Sequence, residues 1–176
     1  MPTFLSGLPV HVLVVHAVVV LIPLAALAAV LVAVWPAARR RYGWLAVAVA
    51  VVATAIIPIA TDTGEGLEHN LPRDPLISAH THLGDQLLPF AGLLLIAVAA
   101  LMLVTQHSHR DPHQPRGHER AGGSGRGTVA TTAPTRVWVR PVAMTLSALT
   151  VAFAVITVIQ VVRIGDSGAR AAWGDT

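Results

Sequence analysis

The sequence predicts an all-α protein, a four-helix transmembrane bundle whose N-terminus and C-terminus are both extracytoplasmic. Three observations lead there. The 176 residues are 54% hydrophobic and 12% charged, with a mean hydropathy of +0.66, and a soluble domain of this size carries about twice that charged fraction. The apolar residues are blocked into four runs, each long enough against the roughly 20 residues that cross about 30 Å of hydrocarbon. The arginines fall mostly in the two connections that one side of such a bundle would hold.

The first run, about 10–35, has no Arg or Lys ahead of it and is longer than a signal-peptide core, so it reads as a retained span. It closes on Trp35, an interface anchor, and Pro36 with Arg39, Arg40 and Arg41 forms a short turn. The second span covers about 44–62 and is rich in Ala and Val. An acidic segment follows with Asp62, Glu65, Glu68 and Asp74 against Arg73 alone. The third helix starts outside the bilayer near Leu76 and runs to about 105, its apolar part beginning at Leu87. Residues 106–136 are rich in Gly, Pro, Arg and His without apolar periodicity, which predicts a disordered cytoplasmic linker. The fourth span covers about 137–163. No separate soluble domain fits between these elements.

Orientation follows from arginine bias, because basic loops resist translocation. Arg39, Arg40, Arg41, Arg110, Arg116, Arg120, Arg126, Arg136 and Arg140 lie on one side, with Arg73, Arg163 and Arg170 on the other. The first side is expected to be cytoplasmic, with the chain a multi-pass protein of that membrane. The net charge of +3 therefore reflects topology rather than nucleic-acid binding. The partners expected are the lipid bilayer and other membrane proteins or further copies of the chain. Pro23, Pro58 and Pro89, in or near spans, are tolerable within a bundle. Ala46 with Ala50, and Ala148 with Ala152, have the spacing that permits close helix approach.

The absence of cysteine removes disulfides, iron–sulfur clusters, thiol catalysis and covalent haem attachment. No nucleophile-plus-base arrangement, phosphate loop or dinucleotide fingerprint appears, which leans away from an enzyme. Aligning the spans by depth gathers the polar residues at their outward ends: His11 and His16, then Asp62, Glu65, Glu68 and His69, then His80, His82, Asp85 and Gln86, then Arg163 and Asp166. Below this layer the spans hold hydroxyls but no ionisable group, which argues against an ion pathway through this chain alone. Asp62, Glu65 and His69 share a face if the helix survives Gly64 and Gly66, and His82 shares one with Asp85. His11 and His16 point about 140° apart and are not expected to bind one ion together.

Leu8-Pro9-Val10-His11 through His16, Thr63-Gly64-Glu65 with Glu68, Ala79-His80 through Gly84-Asp85, and Val162 through Ala169 make the chain resemble the bacterial integral-membrane family catalogued as domain of unknown function 2231. The likeness covers nearly everything but the 106–136 linker. It implies a four-helix membrane bundle and brings no activity with it. His11, His16, Glu65, Glu68, His80 and Asp85 match the family's polar pattern, whereas His69 and His82 look like additions.

Three explanations of the polar layer stay open. It is a structural network of caps and interfacial side chains, as in a scaffold subunit of a membrane complex. It is a divalent metal site with ligands drawn from His11, Glu65, Glu68, His80 and Asp85, since imidazole and carboxylate on facing helices suit such ions. Or it holds a b-type haem for electron transfer, with His16 and His80 as the axial pair. His107, His109, His113 and His118 in the linker read as composition rather than as a site.

Overall fold

A computed structural model describes residues 4–5, 8–68, 75–107 and 135–173, with the side chains of 4, 5, 8–10, 67, 68, 107, 135–137 and 172 outside that description. The predicted linker therefore lies almost wholly outside the described residues, as do His69, His109, His113 and His118. A two-residue antiparallel ladder pairs Phe4–Leu5 with Leu8–Pro9, Phe4 opposite Pro9. All other described elements are helices: α1 Val10–Val34, α2 Pro36–Glu68, α3 Pro75–Asp85, α4 Leu87–His107 and α5 Thr135–Trp173. Four stretches are long and apolar enough to cross a membrane, His11–Val34, Pro36–Gly66, Pro75–Gln106 and Trp138–Ala171.

The helices stand in the cyclic order α1, α2, α4, α5, with α1 and α4 on one diagonal and α3 resting chiefly on α5. Alanine is the commonest buried apolar residue, as at Ala25, Ala29, Ala46, Ala50, Ala53 and Ala91. Lipid tails are as apolar as a core, so helices associate through close packing, and small side chains let backbones approach. Ala46 and Ala50 pack in this way, whereas Ala148 and Ala152 are exposed. The inward stripe of α5 is instead Thr150, Ala154, Thr157 and Val161. Thr150 donates to the Leu146 carbonyl (2.7 Å), and Thr157 to those of Phe153 (2.7 Å) and of Phe90 on α4 (3.3 Å). No buried side-chain N or O among the described residues lacks a partner.

Two connections differ from the sequence expectation. The arginine triplet is not a turn: Trp35 alone separates α1 from α2, its amide bonded to Leu31 O (3.0 Å) and its carbonyl accepting from Arg39 N (2.9 Å). Pro36 opens α2, where a missing N–H costs nothing, but that absence orphans the Val32 carbonyl. Arg39 repairs this, donating from Nε to Val32 O (2.8 Å) and from Nη2 to Ala33 O (2.5 Å) and Ser147 Oγ on α5 (3.1 Å). Charge-assisted bonds of this kind contribute about 1.5–3 kcal/mol. Arg39→Ala is therefore expected to destabilise the bundle by about 2 kcal/mol in detergent unfolding, with Arg39→Lys recovering only part because an ammonium lacks the fork. Equal stability of Arg39→Ala and Arg40→Ala would refute the clamp.

The third span breaks at Gln86, whose amide reaches back to Leu83 O (3.3 Å). Pro89 lacks the N–H that Asp85 O needs, and its ring crowds that carbonyl, so α3 ends there. In contrast, α2 and α5 run on through Gly64, Gly66, Gly165 and Gly168. At 39 residues α5 is about 58 Å long, well beyond the hydrocarbon thickness.

Candidate functional site at the histidine end of the bundle

Arg39 Nη2 bonds both Ala33 O and Ser147 Oγ, which fixes the end of α1 level with Ser147. From Ala33, His11 lies 22 residues along α1, and from Ser147, Gly168 lies 21 residues along α5. At 1.5 Å per residue both are about 32 Å from the Arg39 end. Helix α5 begins at Thr135, twelve residues before Ser147 and so beyond the level of Arg39. His11 and the part of α5 that seats His80 therefore share one level.

Among the described residues, His11 and His80 are the histidines turned into the bundle. The His11 ring, half-buried, lies over Gly64 of α2, where a built Cβ would sit 3.0 Å from Cε1, 3.3 Å from Nδ1 and 3.7 Å from Nε2. Its Nδ1 is 3.1 Å from Ala60 O and 3.4 Å from Thr63 Oγ1. The His80 ring lies over Gly168 of α5 in the same pose, at 3.0, 3.3 and 3.6 Å. Its Nδ1 is 2.9 Å from Ser167 Oγ. Among the described residues neither Nε2 has a hydrogen-bond partner.

His16 is placed elsewhere. It is exposed, and its Nδ1 donates to Val12 O of its own helix at 2.6 Å. The haem pair His16 and His80 is thus not assembled, and the divergence of His11 and His16 on α1 decides which of them enters. The carboxylates do not converge either. Asp62, Glu65 and Asp85 are exposed, the Glu68 side chain lies outside the described residues, and Asp166 is ion-paired to exposed Arg170. No group of three or more His, Asp or Glu able to hold a metal exists among the described residues. Of the expected set His11, Glu65, Glu68, His80 and Asp85, His11 and His80 turn inward, Glu65 and Asp85 are exposed, and the Glu68 side chain lies outside the described residues.

A polar chain joins three members of the outer polar layer, His82, Gln86 and Arg163, through Gln160, which the sequence reading left out of that layer. Arg163 Nη1 donates to Gln160 Oε1 (3.0 Å), Gln160 Nε2 to Gln86 Oε1 (3.4 Å), and Gln86 Nε2 to His82 Nδ1 (3.3 Å). Gln160 is buried and its amide is satisfied on both sides. The chain ties the α3–α4 break to α5 and holds His82 at the surface, away from the paired rings.

Fold and site together define a polytopic four-helix membrane protein with two inward imidazoles at one end. The chain belongs to the family described as Predicted membrane protein (DUF2231), which matches residues 7–176. No curated protein and no solved structure matches the chain.

Proposed function

We propose that the chain is a membrane electron-transfer protein that binds a b-type haem at the outer end of its bundle, with His11 and His80 as axial ligands. The observation that carries this reading is the pair of inward rings, each bonded through Nδ1 and each leaving Nε2 without a partner among the described residues. A ligating histidine commonly donates its other ring N–H to a carbonyl or similar acceptor. Two imidazoles without a third protein ligand suit a metal that brings its equatorial ligands with it. Haem does so, and bundle cores hold it through residues on facing helices. Haem would supply a one-electron couple; the protein holds it, shields it with the apolar helices and sets its ligands. A bare divalent ion would need Glu65 or Asp85 to swing inward from exposed positions.

Haem reconstitution of the detergent-purified protein tests the reading. The expected result is one low-spin haem per chain with a Soret band. No Soret band, together with a stoichiometric divalent metal that Glu65→Ala removes, would replace haem with the carboxylate-containing site. The proposed side is the extracytoplasmic one, on the arginine bias. Reporter fusions at residue 115 and at the C-terminus are expected to report cytoplasm and exterior respectively, and a cytoplasmic C-terminus would reverse the orientation.

A further inference from the structure

The structure assigns Ser167 as the positioning residue that holds the His80 imidazole in the Nδ1–H form, the part that the Ala60 carbonyl plays for His11, within a cradle of matching sequence that the chain uses twice. The cradle is Asp62-Thr63-Gly64 on α2 and Asp166-Ser167-Gly168 on α5. Each occupies the histidine end of the second helix of an antiparallel pair, and each receives a ring from the first: α1 gives His11 to α2, and α3, continuing into α4, gives His80 to α5. The hydroxyl turns back to its own helix in both, Thr63 to Ile59 O at 2.8 Å and Ala60 O at 3.0 Å, and Ser167 to Ile164 O at 2.8 Å. The glycine beds the ring in both, with Cε1 and Nδ1 at the same 3.0 and 3.3 Å. Two cradles that agree in sequence pattern and in ring distance point to a local two-fold relation between the halves of the bundle. The paired rings are its product.

The chemistry of the partners fixes the protons. Ala60 O can only accept, so His11 donates from Nδ1. Ser167 Oγ lies 2.8 Å from Ile164 O, which can only accept, and 2.9 Å from His80 Nδ1; with its one proton given to Ile164 O, its oxygen accepts from His80 Nδ1–H, and this is the state the proposal takes. In a neutral imidazole the other nitrogen is then a bare lone pair. Both Nε2 atoms are thereby set as ligand or acceptor atoms.

The two cradles differ in strength of control. His80 has the Ser167 hydroxyl as its one Nδ1 partner, at 2.9 Å. His11 has the Ala60 carbonyl at 3.1 Å, with the Thr63 hydroxyl a longer second contact at 3.4 Å. Ser167 should therefore control its histidine more completely than Thr63 does.

The test uses the full chain in detergent, labelled with 15N-histidine. In haem-free protein, imidazole 15N shifts are expected to show His11 and His80 as Nδ1–H tautomers. Ser167→Ala should move His80 toward a tautomer mixture, and Ser167→Thr, the hydroxyl the other cradle already uses, should restore it. Thr63→Ala should leave His11 largely unchanged. This proposal rests on the haem reading only for its second arm, where Ser167→Ala is expected to weaken haem binding about 10-fold or more and to alter the low-spin EPR signature, with Thr63→Ala having the smaller effect. Nε2–H tautomers in the wild type, or a His80 unaffected by Ser167→Ala, would overturn it. Correct tautomers without haem uptake would sink the haem reading and leave the cradle assignment standing.

Discussion

Alanine in place of His11 or His80 is expected to abolish the low-spin haem spectrum, while His16→Ala and His82→Ala keep it. Loss of one of two axial imidazoles should weaken haem binding by about 100-fold, or about 2.8 kcal/mol at 1.4 kcal/mol per factor of ten. His16 is the decisive control, because it lies on the same helix five residues on and faces outward with its ring nitrogen bonded to Val12 O. Haem titration followed at the Soret band reads all four variants. If His16→Ala lost the spectrum and His11→Ala kept it, the inward pair would be the wrong pair. If no single histidine mattered, the polar layer would be a structural network.

The second large effect comes from the glycines that bed the rings. A Cβ at Gly64 or Gly168 already meets a ring carbon at 3.0 Å, so the four-carbon side chain in Gly64→Leu or Gly168→Leu has no room unless the imidazole leaves. Both variants should lose haem as completely as the histidine variants. The helices themselves should not suffer, since replacing a mid-helix glycine favours helix by about 0.5–1 kcal/mol. Gly165→Leu on the same helix is the matched control: nothing lies within 4 Å of its Cβ position, and haem binding should be retained. Circular dichroism with haem titration separates these outcomes. A Gly165→Leu protein that lost haem to the same degree would show that general disruption of α5, rather than the ring bed, is responsible.

Much of this architecture was legible before any coordinates. Apolar run length marks the four spans, because a helix either covers the hydrocarbon or does not. The missing cysteines and the clean interior of the spans pushed all candidate chemistry to one end. His11 and His80 were both among the candidates. Choosing between them and their neighbours was not possible from the chain, since His11 and His16 lie about 7.5 Å and 140° apart on α1 and the sequence does not say which of its faces turns inward. The D-[S/T]-G repeat at Asp62 and Asp166 was readable as a sequence pattern, but three residues carry little signal until two histidines are seen lying on its two copies. Arg39 shows a related limit: as a charge it marks a side of the membrane, yet its clamp on Val32, Ala33 and Ser147 arises from the N–H that Pro36 lacks.

The sequence by itself determined that the chain spans a membrane four times and that its ionisable groups sit at the helix ends, because solvation in hydrocarbon leaves few other arrangements. Only the tertiary structure decided which faces meet. In water an amphipathic stripe announces the buried side, but here lipid and core are equally apolar, and Ala148 and Ala152 face outward while Thr150 and Thr157 face in. The rotation and level of each helix are set by packing of small residues and a few hydrogen bonds. Those same contacts turn His11 and His80 inward at one end of the bundle while His16 and His82 stay exposed.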